Sequence, residues 1–395
     1  MKSIKQIIAI SLLNLRNLPQ RLGSSMVAVV GVAAVVLVFA AVLSMARGFE
    51  RTMLSAGTDG TAIVLRTGAT SEMNSGFSNE QVVIIENAPG VLKDGDKPIV
   101  SPELYVIADV RMRSSDTDAN VPFRGVMAGA LEVRPGVRIA EGRLFEPGKR
   151  EIVVGRSAHQ EFVGLDVGSS IRFGQNEWDI VGIFEANGSV SESELWADVR
   201  VLQDAYRRGN SYQSVRVRLE SPDSIEALKT ALTDDPRIEP DVMTEREYYS
   251  TQASGMTQFI RGVGYPLTVL MAIGAVFGAL NSMYSSVSVR GKEIATLRAL
   301  GFGPFPVMVS TVVESTILAL IGGVIGGLIA FVVFNGFQVS TLNGQSFSQV
   351  VFDFAVTPDL LLQGLYAALI IGVIGGFSPA IRAARLPVAQ ALREL

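Results

Sequence analysis

The sequence predicts a membrane protein with four transmembrane α-helices and a large extracytoplasmic α/β (α+β) domain between helices 1 and 2. Three observations support this fold class. Four long stretches carry almost no charge, with Glu314 alone interrupting the third: 22–46, 262–289, 299–352 and 360–381. A polar block, 47–261, separates the first stretch from the second. The positive charges outside this block fall in alternate segments between the stretches, as they do when charge fixes a membrane topology.

The stretches are long enough to cross a bilayer. A helix needs about 20 apolar residues, at about 1.5 Å each, to cross a hydrocarbon core of about 30 Å. A content of 48% hydrophobic residues and a mean hydropathy of +0.34 indicate a mixture of membrane and polar parts. The predicted order along the chain is an interfacial helix (1–21), span 1 (22–46), the extracytoplasmic domain (47–261), span 2 (262–285), a cytoplasmic helix (286–304), span 3 (305–334), an extracytoplasmic loop (335–359), span 4 (360–381) and a cytoplasmic tail (382–395).

The basic residues assign a side of the membrane to each segment. They cluster at the N-terminus, in the link between spans 2 and 3 and at the C-terminus: Lys2, Lys5, Arg16 and Arg21; Arg290, Lys292 and Arg298; Arg382, Arg385 and Arg393. The loop 335–359 contains neither Lys nor Arg. By the positive-inside rule, both termini and the 286–304 link are cytoplasmic, whereas the large domain lies outside. A cleaved signal peptide at 22–46 is disfavoured, because the run exceeds the usual apolar core of about 7–15 residues.

The first 18 residues form an amphipathic pattern ahead of span 1. Apolar residues recur at helical spacing, with basic residues at the edges of the stripe: Ile4, Ile7, Ile8, Leu12 and Leu15; Lys2, Lys5 and Arg16. Such a helix lies in the cytoplasmic interface of a membrane. Pro19 is expected to end it before the span.

The polar block reads as alternating strands and helices. Residues 214–220 alternate as a half-buried strand, and Ser221-Pro222 then provides an N-cap and a proline at the first helical position. Residues 151–154 and 157–163 repeat the strand-then-helix order, and 171–184 reads as a hairpin that turns near 174–176. We therefore expect a mixed α/β domain.

Charge and composition exclude several classes of function. The 47–261 block holds 24 Lys and Arg against 33 Asp and Glu, whereas a nucleic-acid-binding domain should be basic. The chain has no cysteine, so thiol chemistry and iron–sulfur clusters are excluded. His159, the single histidine, is expected on a surface helix, since one histidine cannot build a zinc site alone. No spacing singles out a catalytic pair, so we expect no catalytic residue and no metal site.

The link between spans 2 and 3 is the strongest local signal. Residues 286–301 read as a helical extension of span 2, in which Val287, Ile294 and Leu297 share a face. Arg290 and Glu293 form an i,i+3 pair, and Gly301 is placed to end the helix before Pro304 and Pro306 start the next one. The segment is either a charged hairpin that anchors topology or a docking surface for a cytoplasmic partner.

Here the chain resembles a known family, the FtsX/MacB-like ABC transporter permeases, of the four-span mechanotransmission class without a fused ATPase domain. The resemblance rests on 281–283 and 290–301 in and after span 2, on 378–393 at the C-terminus and on 14–21 before span 1. Segments 135–145, 151–155 and 167–184 resemble the family's periplasmic core domain. The match covers nearly the whole chain, in order, and is specific for the family rather than for a substrate.

The resemblance implies a permease subunit that is not itself an enzyme. The chain contains no G-x-x-x-x-G-K-[ST] phosphate loop, so ATP hydrolysis is expected from a separate ABC ATPase subunit, which would bind ATP and Mg²⁺. The implied coupling residues are Arg290, Lys292, Glu293, Ile294, Leu297 and Arg298. The implied partners are that ATPase, a second permease copy (as a homodimer or a related heterodimer), a periplasmic membrane-fusion adaptor and membrane lipid, with no nucleic acid.

Two functions follow from the resemblance. In the first, the permease relays ATP-driven motion to the outer domain for export, extraction or delivery of a substrate across or from the bacterial cytoplasmic membrane. In the second, it is a signal transducer that activates an extracytoplasmic protein partner. A secondary transporter is disfavoured, because inverted repeats and polar broken helices are missing from the sequence.

Small and polar residues inside the spans complete the prediction. Glycines four residues apart let helices approach closely, either within one chain or in a dimer: Gly274 and Gly278, Gly322 and Gly326, Gly323 and Gly327, Gly372 and Gly376. Asn281 and Glu314 are the intramembrane polar candidates. A carboxylate at mid-membrane costs about 2.5–3.5 kcal/mol on insertion scales, so Glu314 is expected to have a structural hydrogen-bond partner rather than to relay protons.

Overall fold

The computed structural model describes residues 2–16 and 22–387, which form two compact units. The membrane unit comprises Met1–Arg47, Phe259–Phe337 and Phe354–Leu395. The α/β domain comprises Gly48–Gln258 together with Gln338–Asp353. The predicted break at Pro19 and the end of the C-terminal motif, 388–393, lie outside the described residues.

The helices and strands of the described chain are as follows. The helices are α1 (Lys2–Arg16), α2 (Leu22–Leu54), α3 (Asn79–Glu86), α4 (Ala130–Val133), α5 (Arg156–Glu161), α6 (Val199–Ala205), α7 (Ile225–Thr233), α8 (Glu245–Val289), α9 (Gly291–Ala299), α10 (Pro304–Phe334) and α11 (Pro358–Ala384). The strands are β1 (Thr61–Arg66), β2 (Lys93–Asp94), β3 (Lys97–Pro98), β4 (Val100–Arg111), β5 (Asp118–Val126), β6 (Arg138–Gly142), β7 (Glu151–Gly155), β8 (Ser170–Phe173), β9 (Asn176–Glu185), β10 (Leu195–Asp198), β11 (Ser214–Arg218), β12 (Pro240–Thr244), β13 (Gln338–Asn343) and β14 (Ser348–Asp353).

Four helices, α2, α8, α10 and α11, are long and apolar enough to cross a membrane, which confirms the four predicted spans. All four are longer than the predicted spans, and two of them extend far beyond these. Helix α2 continues to Leu54, and α8 begins at Glu245, seventeen residues before the predicted span 2. Both extensions lie in the polar block, where hydropathy alone does not separate a helix from the rest of a domain.

The predicted cytoplasmic helix, 286–304, is a separate short helix, α9, rather than an extension of span 2. Helix α8 ends at Val289, and Arg290 occupies the position before α9. Gly301 ends the helix with φ +94°, as predicted. Its N–H donates to the Arg298 carbonyl at 3.1 Å, and the Phe302 N–H donates to the Leu297 carbonyl at 3.1 Å, which is the Schellman arrangement. Pro304 then begins α10, as predicted.

The α/β domain is built on a ten-stranded mixed sheet with the order β12-β1-β11-β4-β5-β10-β7-β9-β6, to which β8 adds beside β9. The β5–β10 and β7–β9 pairs are parallel, whereas the others are antiparallel. The predicted hairpin is present, with Phe173 opposite Asn176. After β11 the chain makes a 3-10 turn, Pro222–Ser224, and enters α7, which buries Leu228 and Leu232 as predicted.

The segment predicted as an extracytoplasmic loop, 335–359, forms a β-hairpin of β13 and β14 that belongs to the α/β domain. Val351 joins the domain's apolar core. The Val351 N–H donates to Ser193 Oγ at 3.0 Å, and the Tyr105 hydroxyl lies 2.9 Å from Ser348 Oγ. The domain is therefore completed by a piece of chain from between the third and fourth membrane helices.

Candidate functional site

Seven charged side chains form a buried ion-pair network in the α/β domain. The members are Glu72, Glu103, Arg124, Arg134, Glu194, Arg216 and Glu245, and each is at most 8% exposed. Sequence reasoning did not find them. It treated 214–220 as a strand with one solvent face, whereas Arg216 on that face is 0% exposed, so the half-buried reading is wrong at this residue.

Strand register explains how the charges meet. Ser214 lies opposite Glu103 and Tyr105 lies opposite Arg124, so these side chains share one face of the sheet. Successive residues of a strand alternate between faces. The intervening Leu104, Val106 and Val215 therefore point to the other face, where they join the apolar core. The alternation of side chains along the strands therefore places the apolar residues on one face of the sheet and the charged residues on the other.

Two arginines bridge the carboxylates. Arg124 donates to Glu194 through Nε at 2.7 Å and to Glu103 through Nη1 at 2.9 Å, and it also contacts Glu72 at 2.5 Å. Arg216 donates to Glu72 through Nη2 at 3.1 Å and through Nη1 to Glu103. Buried charges are tolerated when they are paired and hydrogen-bonded in this way.

Arg216 also fixes the start of helix α8. Its Nε donates to Glu245 Oε1 at 2.8 Å, and its Nη2 lies 3.0 Å from the Tyr249 hydroxyl. Glu245 is the first residue of α8, and Tyr249 is one turn later. The sheet and the helix are therefore joined by charged hydrogen bonds, which are about twice as strong as neutral ones.

The arginines of the network lower the pKa of Glu72 and of Glu103, whereas burial outweighs the arginines and raises the pKa of Glu245. Burial alone would raise the pKa of Glu72, but the guanidinium groups of Arg124 and Arg216 outweigh burial and hold this pKa well below its usual range. Burial opposes ionisation of Glu103 in the same way, but Arg134, Arg216 and Arg124 lower its pKa. The pKa values of Arg124 and Arg216 are raised in return, against their own burial, by the carboxylates.

These pKa shifts predict that the α/β domain loses stability in acid. The folded pKa of Glu72 and that of Glu103 lie below the unfolded value of about 4.3, so their contribution is fully present above that value and falls as protons bind to the folded pair. We expect denaturant midpoints to fall steadily below about pH 5. Tryptophan fluorescence measures this, because Trp178 and Trp196, the only tryptophans of the sequence, both lie in this domain.

The matched variant for this pH experiment is Glu72→Gln. It should be less stable than the wild type at pH 7 and should show a shallower fall in acid, since one titrating group has been removed. An acid slope equal to that of the wild type would contradict the assignment.

A second buried cluster lies in the membrane unit, directly after the last residue of α8. Arg290 is 6% exposed and donates through Nη1 to Glu314 Oε2 at 2.7 Å. Its Nη2 donates to Asn14 Oδ1 on α1, and its Nε donates to Glu293 at 3.3 Å. The predicted Arg290–Glu293 pair is confirmed. Glu314, 3% exposed, has the hydrogen-bond partner that its position in a membrane helix required.

The six predicted coupling residues divide between two faces of α9. Ile294 and Leu297 pack with Val287 in an apolar cluster, which confirms their shared face. Arg298 donates to the Ala384 and Leu386 carbonyls at 3.1 and 2.7 Å, at the end of α11. The side chains of Ile294, Leu297 and Arg298, like that of Arg290, therefore make contacts within the membrane unit.

The outer face of α9 is the remaining candidate for docking. Lys292 and Glu293 are exposed on it, and Val289 and Leu300 on either side are each 73% exposed. Exposed apolar and charged groups in one patch are typical of a surface that binds another protein.

The predicted glycine pairs differ in how closely other helices approach them. An added Cβ on Gly322 or Gly326 would overlap the backbone of Val29 or Ala33 on α2. On Gly372 it would lie 2.8 Å from the Ala319 side chain of α10, and on Gly376 2.6 Å from Ser315. By contrast, Gly274 and Gly278 have no atom within 4 Å of an added Cβ, and the nearby Asn281 is exposed.

This difference predicts opposite effects of the same substitution. Gly326→Ala should destabilise the membrane unit by about 1–3 kcal/mol, because the methyl group overpacks the contact with α2. Gly278→Ala should leave the stability of a single chain unchanged, since its surroundings are open. Thermal unfolding of the two variants in detergent, at equal protein concentration, measures the contrast. Equal losses in both would contradict the packing described here.

No group of three or more potential metal-binding side chains occurs within residues 2–16 and 22–387. His159 lies on α5, as predicted, with Nε2 3.1 Å from Asp166 Oδ1.

Comparison with known families identifies both units. Residues 25–235 match the model of the MacB-like periplasmic core domain, and residues 267–388 match that of the FtsX-like permease C-terminal region. Among curated proteins, the chain is 24% identical to the macrolide export ATP-binding/permease protein MacB 1 of Aeromonas hydrophila, over 93% of this chain and 57% of that protein. It is 23% identical to an uncharacterized ABC transporter permease of Methanocaldococcus jannaschii, over 96% of each chain.

Solved structures of periplasmic and extracellular regions match about half of this chain. The periplasmic region of MacB from Actinobacillus actinomycetemcomitans matches 50% of this chain and 94% of its own, with 13% identity and a TM-score of 0.38. The extracellular domain of the ABC-type transporter YknZ from Gram-positive bacteria matches 47% of this chain and 98% of its own, with 17% identity and a TM-score of 0.35. The chain spans about half the length of several MacB relatives, from 45% to 57%.

Proposed function

The chain belongs to the ABC transporter permeases that join a MacB-like periplasmic core domain to an FtsX-like permease region, and from that premise we propose that it relays the motion of a separate ATPase to its α/β domain. Helix α8 carries the proposal. It is one helix from Glu245 to Val289, with Pro266 inside it. Its first residue is tied to the sheet through Arg216, and the residue after its last one, Arg290, is tied to α10 and α1.

A long helix anchored at both ends transmits displacement instead of absorbing it. Breaking a buried ion pair costs about 3–5 kcal/mol, so neither anchor yields before the helix moves as a whole. The proposed input is the outer face of α9, where the ATPase, with its bound ATP and Mg²⁺, docks on Val289, Lys292 and Glu293. The proposed output is movement of the α/β domain for substrate export, extraction or delivery, and the names of the macrolide-export relatives favour export.

The proposed orientation places α9 and both termini in the cytoplasm of a bacterial cell and the α/β domain outside the inner membrane. Basic residues at α9 and the absence of Lys and Arg from 335–359 support it. Two permease copies are proposed to assemble, as a homodimer or with a related chain. The open face at Gly274 and Gly278 favours α8 as the seam, because small residues allow close helix contact.

Charge reversal on the docking face tests the relay. In a complex with the ATPase that co-purifies from native membranes, Glu293→Lys should lower the ATPase activity of the assembled complex by about tenfold or abolish co-purification, as expected for loss of an interface hot spot of about 1.4 kcal/mol or more. Thermal stability of the permease alone should change little, since the Glu293 side chain is 47% exposed.

The control is Glu226→Lys, the same reversal on exposed helix α7 of the α/β domain, which should retain wild-type activity. Wild-type ATPase activity of the assembled complex in Glu293→Lys would show that the outer face of α9 does not couple the ATPase to the permease.

A further inference from the structure

The β13–β14 hairpin is a part of the α/β domain whose chain enters from the membrane unit and returns to it. It lies between α10 and α11 along the chain, whereas the rest of the domain lies between α2 and α8. The chain therefore passes between the two units at four places, which are after Arg47, Gln258, Phe337 and Asp353. Helix α8 accounts for one of these passages, and the hairpin accounts for two.

The base of the hairpin is fixed by hydrogen bonds that continue its ladder beyond the two strands. The Gly336 N–H donates to the Phe354 carbonyl, and the Phe354 N–H donates to the Phe337 carbonyl, each at 3.0 Å. The ring of Phe354 also stacks on that of Phe334, the last residue of α10, with ring centres 5.9 Å apart. This paired base leaves little freedom between the end of α10 and the hairpin.

Strand β14 is buried in the α/β domain. Its Ser348, Val351 and Phe352 are each at most 2% exposed. Val351 belongs to the apolar core of the domain, and the Phe352 ring meets the edge of Phe49 with ring centres 5.5 Å apart. Because a close-packed core resists displacement of its members, the hairpin moves with the domain rather than sliding over it.

Two contacts of the hairpin lie beside the ion-pair network. Ser193, which accepts a hydrogen bond from β14, precedes Glu194, and Glu194 accepts from Arg124 Nη2 at 2.6 Å. The Tyr105 hydroxyl lies 2.9 Å from Ser348 Oγ, and the Arg124 guanidinium lies over the Tyr105 ring at 4.9 Å. Helix α8 is hydrogen-bonded to the second bridging arginine of the same network. The hairpin and α8 are therefore both attached to one buried group of charged side chains.

We propose that the β13–β14 hairpin is a second mechanical link, which transmits movement of α10 and α11 into the α/β domain in parallel with α8. This link rests on the proposed relay and extends it to the third and fourth membrane helices. The ion-pair network joins the two links, because charged hydrogen bonds hold its members together. The hairpin stays docked while the ATPase turns over, and it moves together with the sheet.

Lengthening the base of the hairpin tests the link without changing its docking contacts. A short glycine–serine linker, which behaves as a flexible coil, is inserted between Gly336 and Phe337 and again between Phe354 and Ala355. In the permease–ATPase complex, the nucleotide-dependent change in hydrogen exchange at 190–196, where the hairpin docks, should fall at least by half. The change at 245–258, at the start of α8, should persist.

The control is the same linker inserted between Gly209 and Asn210, in an exposed loop of the domain, which should leave both responses unchanged. A wild-type response at 190–196 in the lengthened variant would overturn the second link and leave the relay through α8 standing. Absence of any response at 245–258 in the wild type would instead contradict the relay, and the second link would fall with it.

A crosslink tests whether the hairpin stays docked. Ser340 Oγ donates to Glu161 Oε1 at 3.2 Å, and the chain has no cysteine, so Ser340→Cys with Glu161→Cys can be joined selectively by a short bifunctional maleimide. The crosslinked complex should keep the response of the same double variant without crosslinker at 190–196. Loss of that response on crosslinking would show that the hairpin must undock, which overturns the proposal.

Discussion

Replacing Arg216 with methionine is expected to destabilise the α/β domain by about 3–5 kcal/mol, the usual cost of removing one partner from a buried ion pair. Arg216 contacts Glu72, Glu103 and Glu245, and it is 0% exposed. Its loss leaves carboxylates in a buried site with one cation fewer. Denaturant unfolding of the full-length protein, followed by tryptophan fluorescence, measures the change.

The matched control is Arg218→Met, two residues further along the same strand. Arg218 is only partly buried, and its guanidinium donates a long hydrogen bond of 3.5 Å to Thr61 Oγ1. Its replacement should cost about 1 kcal/mol or less, as for exposed charges. Equal losses for Arg216→Met and Arg218→Met would show that the network adds nothing specific to the domain.

The second large effect is expected at the other end of α8. Arg290→Met alone, or Glu314→Met alone, should destabilise the membrane unit by about 3–5 kcal/mol, because each removes one member of the buried Arg290–Glu314 pair. The double replacement should recover most of this stability, since a buried pair replaced by apolar residues of similar volume is often neutral. Thermal unfolding of the three variants in detergent gives the double-mutant cycle.

The neighbouring Lys292→Met is the control, because Lys292 is exposed on α9. It should have little effect on stability. Additive losses in the Arg290 and Glu314 double variant would contradict a direct pair, since independent sites add within about 0.3–0.5 kcal/mol.

The sequence predicted the parts of the fold that follow from hydropathy and from local backbone chemistry. Four spans were predicted because a run of about 20 consecutive apolar residues has few stable environments other than a membrane. The end of α9 was predicted because Gly301 adopts a φ that other residues avoid and Pro304 favours a helix start. Glu314 was predicted to be paired, because an isolated charge in a membrane is costly.

The sequence did not predict features that depend on which segments meet. The β13–β14 hairpin was missed because its strands continue the apolar stretch 299–352, and the part of that stretch after span 3 was interpreted as a loop. The ion-pair network was missed because Glu and Arg are almost never fully buried unless paired, and pairing across 21 to 144 residues of chain leaves no local pattern. The burial of Arg290 was missed for the same reason, because its contacts with Glu314 and Asn14 join residues far apart in the chain.

Hydrogen exchange at the first turns of α8 tests the relay most directly. In the permease–ATPase complex, exchange of 245–258 in the α/β domain should change between the nucleotide-free state and the ATP-bound state. The same segment should show no nucleotide-dependent change in a Glu293→Lys complex, because the input at α9 has been removed. An active wild-type complex in which nucleotide alters exchange at α9 but nowhere in the α/β domain would contradict transmission through α8.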